Sequence, residues 1–571
     1  MGKPPRENIK LVRVPPKIET PKRASKTRLL VVTFLALFVA PLYTYLLPRI
    51  THGLFTPDGA CPSQPSTLTL GPDWDTTKNQ EMLIERLKGA VRLPTQSYDD
   101  MGNPPDDDRF SPFGPFTDYL KNTFPAIHKH LTLETVNTYG KLYTWKGSNP
   151  HLKPIVLMAH QDVVPVNEET MRDWTHPPFD AFQDENGWIW GRGTTDCKNT
   201  LIGSMSALEK LILEGFQPLR TIHLSFGFDE EITGARSARG LAKLILSKYG
   251  RHGVGLIVDE GFAGVGTHFG KTFVRFGLAE KGAVNLVLTV HSEGGHSSVP
   301  PEHTGIGVLS RLITHLENNP SPLRLKGNPM LDFLHCIADY GSLPSTFRAL
   351  LALKQYQRIT NYFTVGKGFM KRAARAFLGT TQAVDEIEGG VKLNALPEIA
   401  RARINYRIDF QSSVKDHFRY IISLLTPVTQ ELGYTLRANG SVYSEPPESS
   451  AGIVDLDLSL ESAIESAPLT PSYGGAWDLM GGTAKRQWKD AIAAPFAMIA
   501  NSDTKHYWDV SRHIYRFVPA EADQMLNYHT VNERIHVDAH LQTVRFYYNL
   551  LQNAQQWHID DPETDLHQGL Q

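Results

Sequence analysis

Cysteine is scarce in this chain: Cys61, Cys197 and Cys336 are the only three in 571 residues, far apart and without a CxxC pair. An odd, scattered set supports neither a disulfide scaffold nor a zinc site built on thiolates. A basic excess is missing too, with Lys+Arg 58 against Asp+Glu 60, so no nucleic-acid partner is expected. No internal repeat is visible. At 41% hydrophobic and 21% charged residues the bulk of the chain has an ordinary globular composition. Its length is too great for one compact core, so two or more domains are expected.

The N-terminus departs from this ordinariness. Leu29 to Leu47 (LLVVTFLALFVAPLYTYLL) runs about 19 residues without a charge, long enough to span a bilayer as a helix. Lys3, Arg6, Lys10, Arg13, Lys17, Lys22, Arg23, Lys26 and Arg28 precede it, and only Arg49 follows closely. That asymmetry predicts a single-pass anchor with a cytosolic N-terminus (1–28) and everything after 47 in a lumen or outside. A cleaved signal peptide would have a shorter apolar region and a small-x-small site, which PRITHGLFTPDG lacks. Residues 48–77, rich in Pro, Ser, Thr and Asp, read as a stalk, and 558–571 as an acidic tail. Asn439-Gly440-Ser441 is a glycosylation sequon on the lumenal side of this topology.

Ordered sequence begins near Lys78, where NQEMLIERLKGAVRL is patterned as an amphipathic helix. From about 153, strand-like runs (KPIVLMA, TIHLSFGF, VGLIV) alternate with helix-like ones (LIGSMSALEKLILEG, ARSARGLAKLILSKYG). The pattern returns in AAPFAMIA and HVDAHLQTVRFYYNLL. Such alternation predicts an α/β domain with a largely parallel sheet over 78–281 and 441–557. In between, AVNLVLTVHS and EIARARINYRIDF alternate like half-exposed antiparallel strands. Residues 282–440 therefore read as a smaller α+β domain inserted into the first, with extra helices over its basic, aromatic middle, 325–390.

Against this frame six metal-type residues at five places stand out: His160 in MAHQDVVPV, Asp196 in GRGTTDCKN, the Glu230-Glu231 pair in FDEEITG, Asp259 in LIVDEG, and His529 in NYHTVNERI. Most follow a predicted strand, and ligands of open α/β sheets collect at the carboxyl ends of strands. Two imidazoles and three carboxylates are what two zinc ions sharing a bridging carboxylate would need. Asp162, two residues after His160, is placed to fix the imidazole tautomer. Two adjacent carboxylates at a strand end repel each other unless a cation or a shared proton compensates, so one of Glu230 and Glu231 can bind while the other faces a substrate. Cys197 reads as a small helix-start residue facing away from the site.

HQDVVPV, WGRGTTDCKN, FDEEITG, the strand-end Asp259 and HTVNERI together resemble the co-catalytic di-zinc metallopeptidases, the aminoacylase and glutamate carboxypeptidase type, and within them the vacuolar carboxypeptidase S group. The resemblance runs from about residue 80 to 555, includes the inserted lid domain and extends to the anchor. It implies two zinc ions per subunit, with His160 and Asp259 on one, Glu231 and His529 on the other, and Asp196 bridging. Glu230 would be the general base acting on a water shared by the ions, with Asp162 supporting the catalytic set. His296 in SEGGHSSVPP resembles a lid histidine that stabilises the oxyanion. Arg407 in INYRIDF resembles an arginine that clamps a substrate carboxylate, and Asn394 in KLNALP would sit close to it. Where that group has Arg in the segment ANSDTKHYW, this chain has Lys505, which keeps the charge but loses the planar fork.

The resemblance implies a carboxypeptidase acting on short peptides in a vacuolar lumen. An N-acyl-amino-acid hydrolase uses the same chemistry on a different amide beside a free carboxylate. A non-catalytic anchored binding protein would be expected to have lost part of the set, and none is missing. A homodimer through the lid is a further expectation.

Overall fold

The structure, a computed structural model, describes residues 60–365, 369–446, 449–555 and 557. The expected anchor at 29–47, the basic tail and the acidic tail at 558–571 lie outside these. Among the described residues no helix is long and apolar enough to cross a membrane.

An eight-stranded sheet carries the larger α/β layer, in the order Thr132–Val136, Gly140–Trp145, Ile222–Gly227, Ile155–His160, Leu256–His268, Ile514–Glu521, Lys271–Glu280, Ile492–Met498. Its centre is parallel: Ile155–His160 runs with Ile222–Gly227 and Leu256–His268, which in turn runs with Ile514–Glu521. The two strands at the Thr132 edge are antiparallel, as is the return of Lys271–Glu280 along Leu256–His268. The sheet is thus more mixed than the alternation of runs predicts. Every residue of Ile155–His160 and Ile222–Gly227 is buried, as expected of central strands covered on both faces. Helix Lys198–Leu213 lies between this sheet, helix Val537–Asn553 and helix Gln80–Val91, and is buried almost all round for that reason. At Gly203 a β-carbon would come within 2.8 Å of Thr543 Cγ2, so only glycine lets the two helices approach this closely. Helix Ala238–Tyr249 covers the opposite face with Tyr507, Val510 and Ile514.

A six-stranded, mostly antiparallel sheet forms the insert, ordered Thr381–Gly389, Ile399–Ile408, Gly282–Ser292, Gly452–Leu458, Tyr434–Ala438, Ser441–Ser444. Ile399–Ile408 alternates exposed and buried positions along its length. Its inner face packs on helices Gly305–Asn318 and Val414–Glu431 through Leu288, Val290, Leu309, Leu312, Ile404 and Leu425. This sheet extends to Leu458, beyond the boundary at 440 read from the sequence. The helices between its strands do not all belong to it. Pro329–Tyr340 packs Phe333, Cys336 and Ile337 against Phe273, Ile492 and Ala494 on the edge of the large sheet.

Two expectations fail together at Cys61, which forms a disulfide with Cys336 across 275 residues of chain. Neither residue has a motif that would signal pairing, and the partner lies in the part of the insert that reaches the large sheet. The segment read as stalk is packed from residue 60 onward. Gln64 exchanges two 2.9 Å bonds with the backbone of Ala493, Leu68 N–H donates to Gly482 O at 3.0 Å, and Trp477 Nε1 donates to Ser63 O at 3.1 Å. This strip adds a strap across helix Gly474–Gln487 rather than a spacer.

Candidate metal centre

Segments from across the chain meet at the carboxyl end of the parallel strands. His160 ends its strand, and Glu230 and Glu231 open a short 3-10 turn just beyond Ile222–Gly227. Asp196 lies in the loop before helix Lys198–Leu213. His529 arrives from the far end of the chain on the connection between Met525–Leu526 and Arg534–His536. A small four-stranded sheet brings it there: Arg534, Ile535 and His536 pair with Trp190, Ile189 and Trp188. The loop is tightly curled, with Asn527, His529 and Asn532 at φ +64°, +57° and +61°, a left-handed region that non-glycine residues visit rarely.

Asp196 stands between the two histidines. Its Oδ1 is 3.0 Å from His160 Nε2, and its Oδ2 is 3.0 Å from His529 Nε2. Glu260 Oε2 reaches His160 Nε2 at 3.2 Å, and Glu231 Oε2 reaches His529 Nε2 at 3.3 Å. Two pockets result, each with one imidazole and one carboxylate of its own and a shared carboxylate between them. His160 Nδ1 lies 2.9 Å from the backbone carbonyl of Asp162. A carbonyl can only accept, so Nδ1 carries the donated proton and Nε2 is the nitrogen left for a cation.

The charges in this cluster are poorly balanced without one. Burial, then the Glu260 charge, pushes the Glu230 carboxyl well above the usual range. Burial and His160 act in opposite senses on Glu260, and it too ends well above it. Burial and the Asp196 charge raise Glu231. Burial opposes ionisation of Asp196, yet the imidazoles on its two oxygens hold it below the ordinary carboxylate range. Hydrogen bonds donated to Asp196 and Glu231 lift His529 to about 10. Among the described residues the buried Glu231 Oε1 has no hydrogen-bond partner. Nitrogen and carboxylate donors converging around an orphaned acceptor fit divalent cations, and His160, Asp196 and Glu260 on one side and Asp196, Glu231 and His529 on the other are grouped closely enough to hold them.

Residues 156–553 match the sequence profile of Peptidase family M20/M25/M40. The chain belongs to this family. It is 41% identical over 494 residues to "Carboxypeptidase S" of Saccharomyces cerevisiae, a match covering 83% of this chain and 84% of that one. It is 30% identical over 511 residues to the mouse "N-fatty-acyl-amino acid synthase/hydrolase PM20D1", covering 87% and 92%. The fold is that of human carnosine dipeptidase 1, with a TM-score of 0.57 at 13% identity over 85% of this chain and 100% of that one. An M20 metallo-carboxypeptidase of Sulfolobus solfataricus has the same fold, with a TM-score of 0.54 at 17% identity over 82% and 98%. The protein is accordingly a hydrolase of the metallopeptidase type.

Within this cluster one residue differs from the sequence reading. Asp259 is not in the cluster; Glu260 occupies that place. Neighbouring side chains on a strand point to opposite faces, and the strand does not end at Asp259 but continues to His268. Asp259 turns inward, where burial raises its carboxyl to about 6 and, among the described residues, its Oδ2 has no hydrogen-bond partner. Beneath it Glu280 and Arg516 form a fully buried ion pair, with Ser502 and Thr504 hydroxyls donating to Glu280 at 2.7 and 2.8 Å.

Asp162 does more than the sequence suggests. Its Oδ1 accepts the Glu230 N–H and its Oδ2 the Glu231 N–H, both at 3.1 Å, and Ser97 Oγ donates to Oδ2 at 2.7 Å. Cys197 holds the N-cap position of the helix after Asp196 without a side-chain cap bond, and it does not face away as the sequence suggests, since its Sγ is grouped with the His160, Asp196 and Glu260 ligand atoms. It is buried against His160, whose backbone N–H lies 3.1 Å from its Sγ, and burial raises its thiol so that it stays neutral.

His296, Asn394 and Arg407 sit on the insert. Gly295–His296 pairs with Ala395–Leu396, which places His296 and Asn394 on one exposed ribbon, and His296 Nδ1 meets Ser298 Oγ at 2.6 Å. Arg407 Nη1 donates to Asn501 Oδ1 at 2.9 Å, and Asn501 Nδ2 donates to Lys281 O at the crossing between the two sheets. Lys505 lies in the 3-10 turn Asp503–His506, with its charge beside the buried Asp503 carboxyl. None of the three insert residues bonds to the histidine–carboxylate cluster in the contacts described.

Proposed function

We propose that the protein is a zinc-dependent carboxypeptidase removing C-terminal residues from short peptides, with two zinc ions held by His160, Asp196, Glu260, Glu231 and His529. The placing of Asp196 between two histidines carries this reading, since one carboxylate serving two imidazole–carboxylate pockets is the arrangement a metal pair requires. The ions, when bound, polarise the scissile carbonyl and acidify water. Glu230 takes the proton from the attacking water and returns it to the leaving amine, a task suited to a carboxyl whose pKa is raised. Asp162 holds the backbone of that turn. Arg407 binds the free carboxylate of the substrate, and His296 steadies the developing oxyanion, with Asn394 beside it.

The mouse relative named for N-fatty-acyl amino acids favours a second reading, hydrolysis of N-acyl amino acids. Metal analysis of purified protein, paired with assays on a blocked dipeptide and on a fatty-acyl amino acid, separates the two. Failure on both substrates by metal-loaded protein sinks the whole substrate class.

The same proposal places the catalytic part in a lumen, most simply the vacuole, behind an anchor at 29–47. The Cys61–Cys336 disulfide supports an oxidising compartment over the cytosol. Asn439 is exposed in its turn, where its Oδ1 accepts from Leu458 N–H, and glycosylation there would shift gel mobility until Asn439→Gln removes it. Dimerisation through the lid is supported by the exposed Ile387 on the edge strand Thr381–Gly389 and the exposed Val391 and Leu393 just after it; light scattering on the full chain tests it.

A further inference from the structure

We infer that Glu533, together with Arg192, is the positioning residue that holds Asp196 between the two histidines. The inference rests on the two-metal reading above. Glu533 is completely buried, and nearly all of its hydrogen-bonding capacity goes to one loop. Its Oε1 accepts the N–H of Gly193 at 3.0 Å, the N–H of Thr195 at 2.9 Å, the Thr195 hydroxyl at 2.8 Å and, more distantly, the N–H of Asp196 at 3.4 Å. Its Oε2 accepts Arg192 Nη1 at 2.6 Å, and its backbone carbonyl accepts the N–H of Gly191 at 2.8 Å. Gly191, Arg192, Gly193, Thr195 and Asp196 therefore all donate to a single residue.

The loop can wrap this carboxylate because Gly193 adopts φ +88°, and a β-carbon there would come within 2.7 Å of Val163. The other end of the arrangement reaches the second histidine. Glu533 follows His529 by four positions on the same connection, and Arg192 Nη1 also lies 3.5 Å from the carbonyl of Thr530. The Arg192–Glu533 pair thus fastens the loop bearing Asp196 to the loop bearing His529, across 341 residues of chain.

A buried ion pair is weak grounds for assigning a stabilising role, because apolar replacements of similar volume often serve as well. What an apolar pair could not do is direct several N–H groups to one point. Supporting contacts of this kind set the position of a metal-binding carboxylate and are worth roughly 10–100-fold in metal affinity when lost.

The test uses the full-length chain, stripped of metal and titrated with cobalt(II), following the visible d–d absorption. Wild type is expected to take up two ions. Glu533→Gln keeps the shape but turns an NH2 group toward either Arg192 or the loop N–H groups. Its expected signature is roughly 10–100-fold weaker cobalt binding, an altered d–d spectrum, and a fall in kcat with little change in KM. Wild-type affinity and spectrum in that variant would overturn the inference, whatever its thermal stability. Should Glu533→Gln fail to fold, Thr195→Val removes a single donor and is expected to shift the spectrum in the same direction by less; no shift there overturns it equally. Fewer than two cobalt ions on wild type would instead bring down the two-metal reading, and this inference with it.

Discussion

Asp162 accepts the backbone N–H of Glu230 at 3.1 Å across 68 residues of chain, so the turn that presents the proposed base is pinned by the segment that carries the first histidine. Its other oxygen does the same for Glu231. Asp162→Ala should cost roughly 10–100-fold in kcat, as loss of an outer partner of a metal site does, and should lower metal affinity as well. Steady-state kinetics alongside metal analysis checks both; unchanged values would reduce Asp162 to a loop residue.

Glu230→Gln separates chemistry from binding. Hydrolysis is expected to fall about 10²–10⁴-fold, the usual contribution of a positioned acid–base group, while bound metal stays at the wild-type level. Normal turnover in this variant would remove Glu230 from the role assigned to it.

Metal-free protein should lose stability as pH rises. His529 has its pKa raised from 6.5 to about 10 by Asp196 and Glu231. A raised folded-state pKa contributes stability that is complete below the unfolded value and fades through the folded one. The window is therefore pH 6.5 to about 10, with Glu230 and Glu231, whose carboxyls burial also raises, acting in the same direction from 4.5 upward. Melting temperatures of chelator-treated protein across this range should fall, and fall less in His529→Ala. Since an imidazolium cannot bind a cation, metal uptake in the same range should release protons, measurable in weakly buffered solution.

Arg407→Ala is expected to raise KM for substrates with a free C-terminal carboxylate by roughly 10–100-fold, the equivalent of losing a hydrogen bond to a charged group. C-terminally amidated substrates should be cut poorly by both proteins and show little difference between them. An equal loss on both substrate types would mean that Arg407 serves the Asn501–Lys281 crossing and not the ligand.

Cys336→Ala should lower stability by about 2–5 kcal/mol, the range for a native disulfide. Thermal melts of wild type with and without reductant provide the comparison. A melt insensitive to both changes would show that the 60–72 strap holds through its hydrogen bonds and packing alone.

Much of this arrangement could be read from the residues. Continuous apolar runs such as KPIVLMA are legible as central strands because burial on both faces leaves no polar position. His160, Asp196, Glu231 and His529 were visible because histidines and acids in such contexts have few structural uses. Glu260 was not, because Asp259 and Glu260 are adjacent acids and only the parity of the strand decides which faces the site. Glu533 gave little signal either: a glutamate in a polar loop looks like a solvated one until the partner loop is known. Its place in the same short motif as His529, and that of Arg192 in the same motif as Asp196, are the available hints. The Cys61–Cys336 pairing depended on Pro329–Tyr340 docking on the large sheet, which no local pattern announces.

The bond between Cys61 and Cys336 has a practical consequence for a protein proposed to live among peptidases. A chain cut once between Pro62 and His335 remains a single covalent molecule, its two fragments still joined. Preparations sized without reductant would count nicked and intact molecules alike, and an activity loss after such a cut would have no visible cause. Comparison of reduced and unreduced samples is therefore the condition for reading any inactivation of this protein correctly.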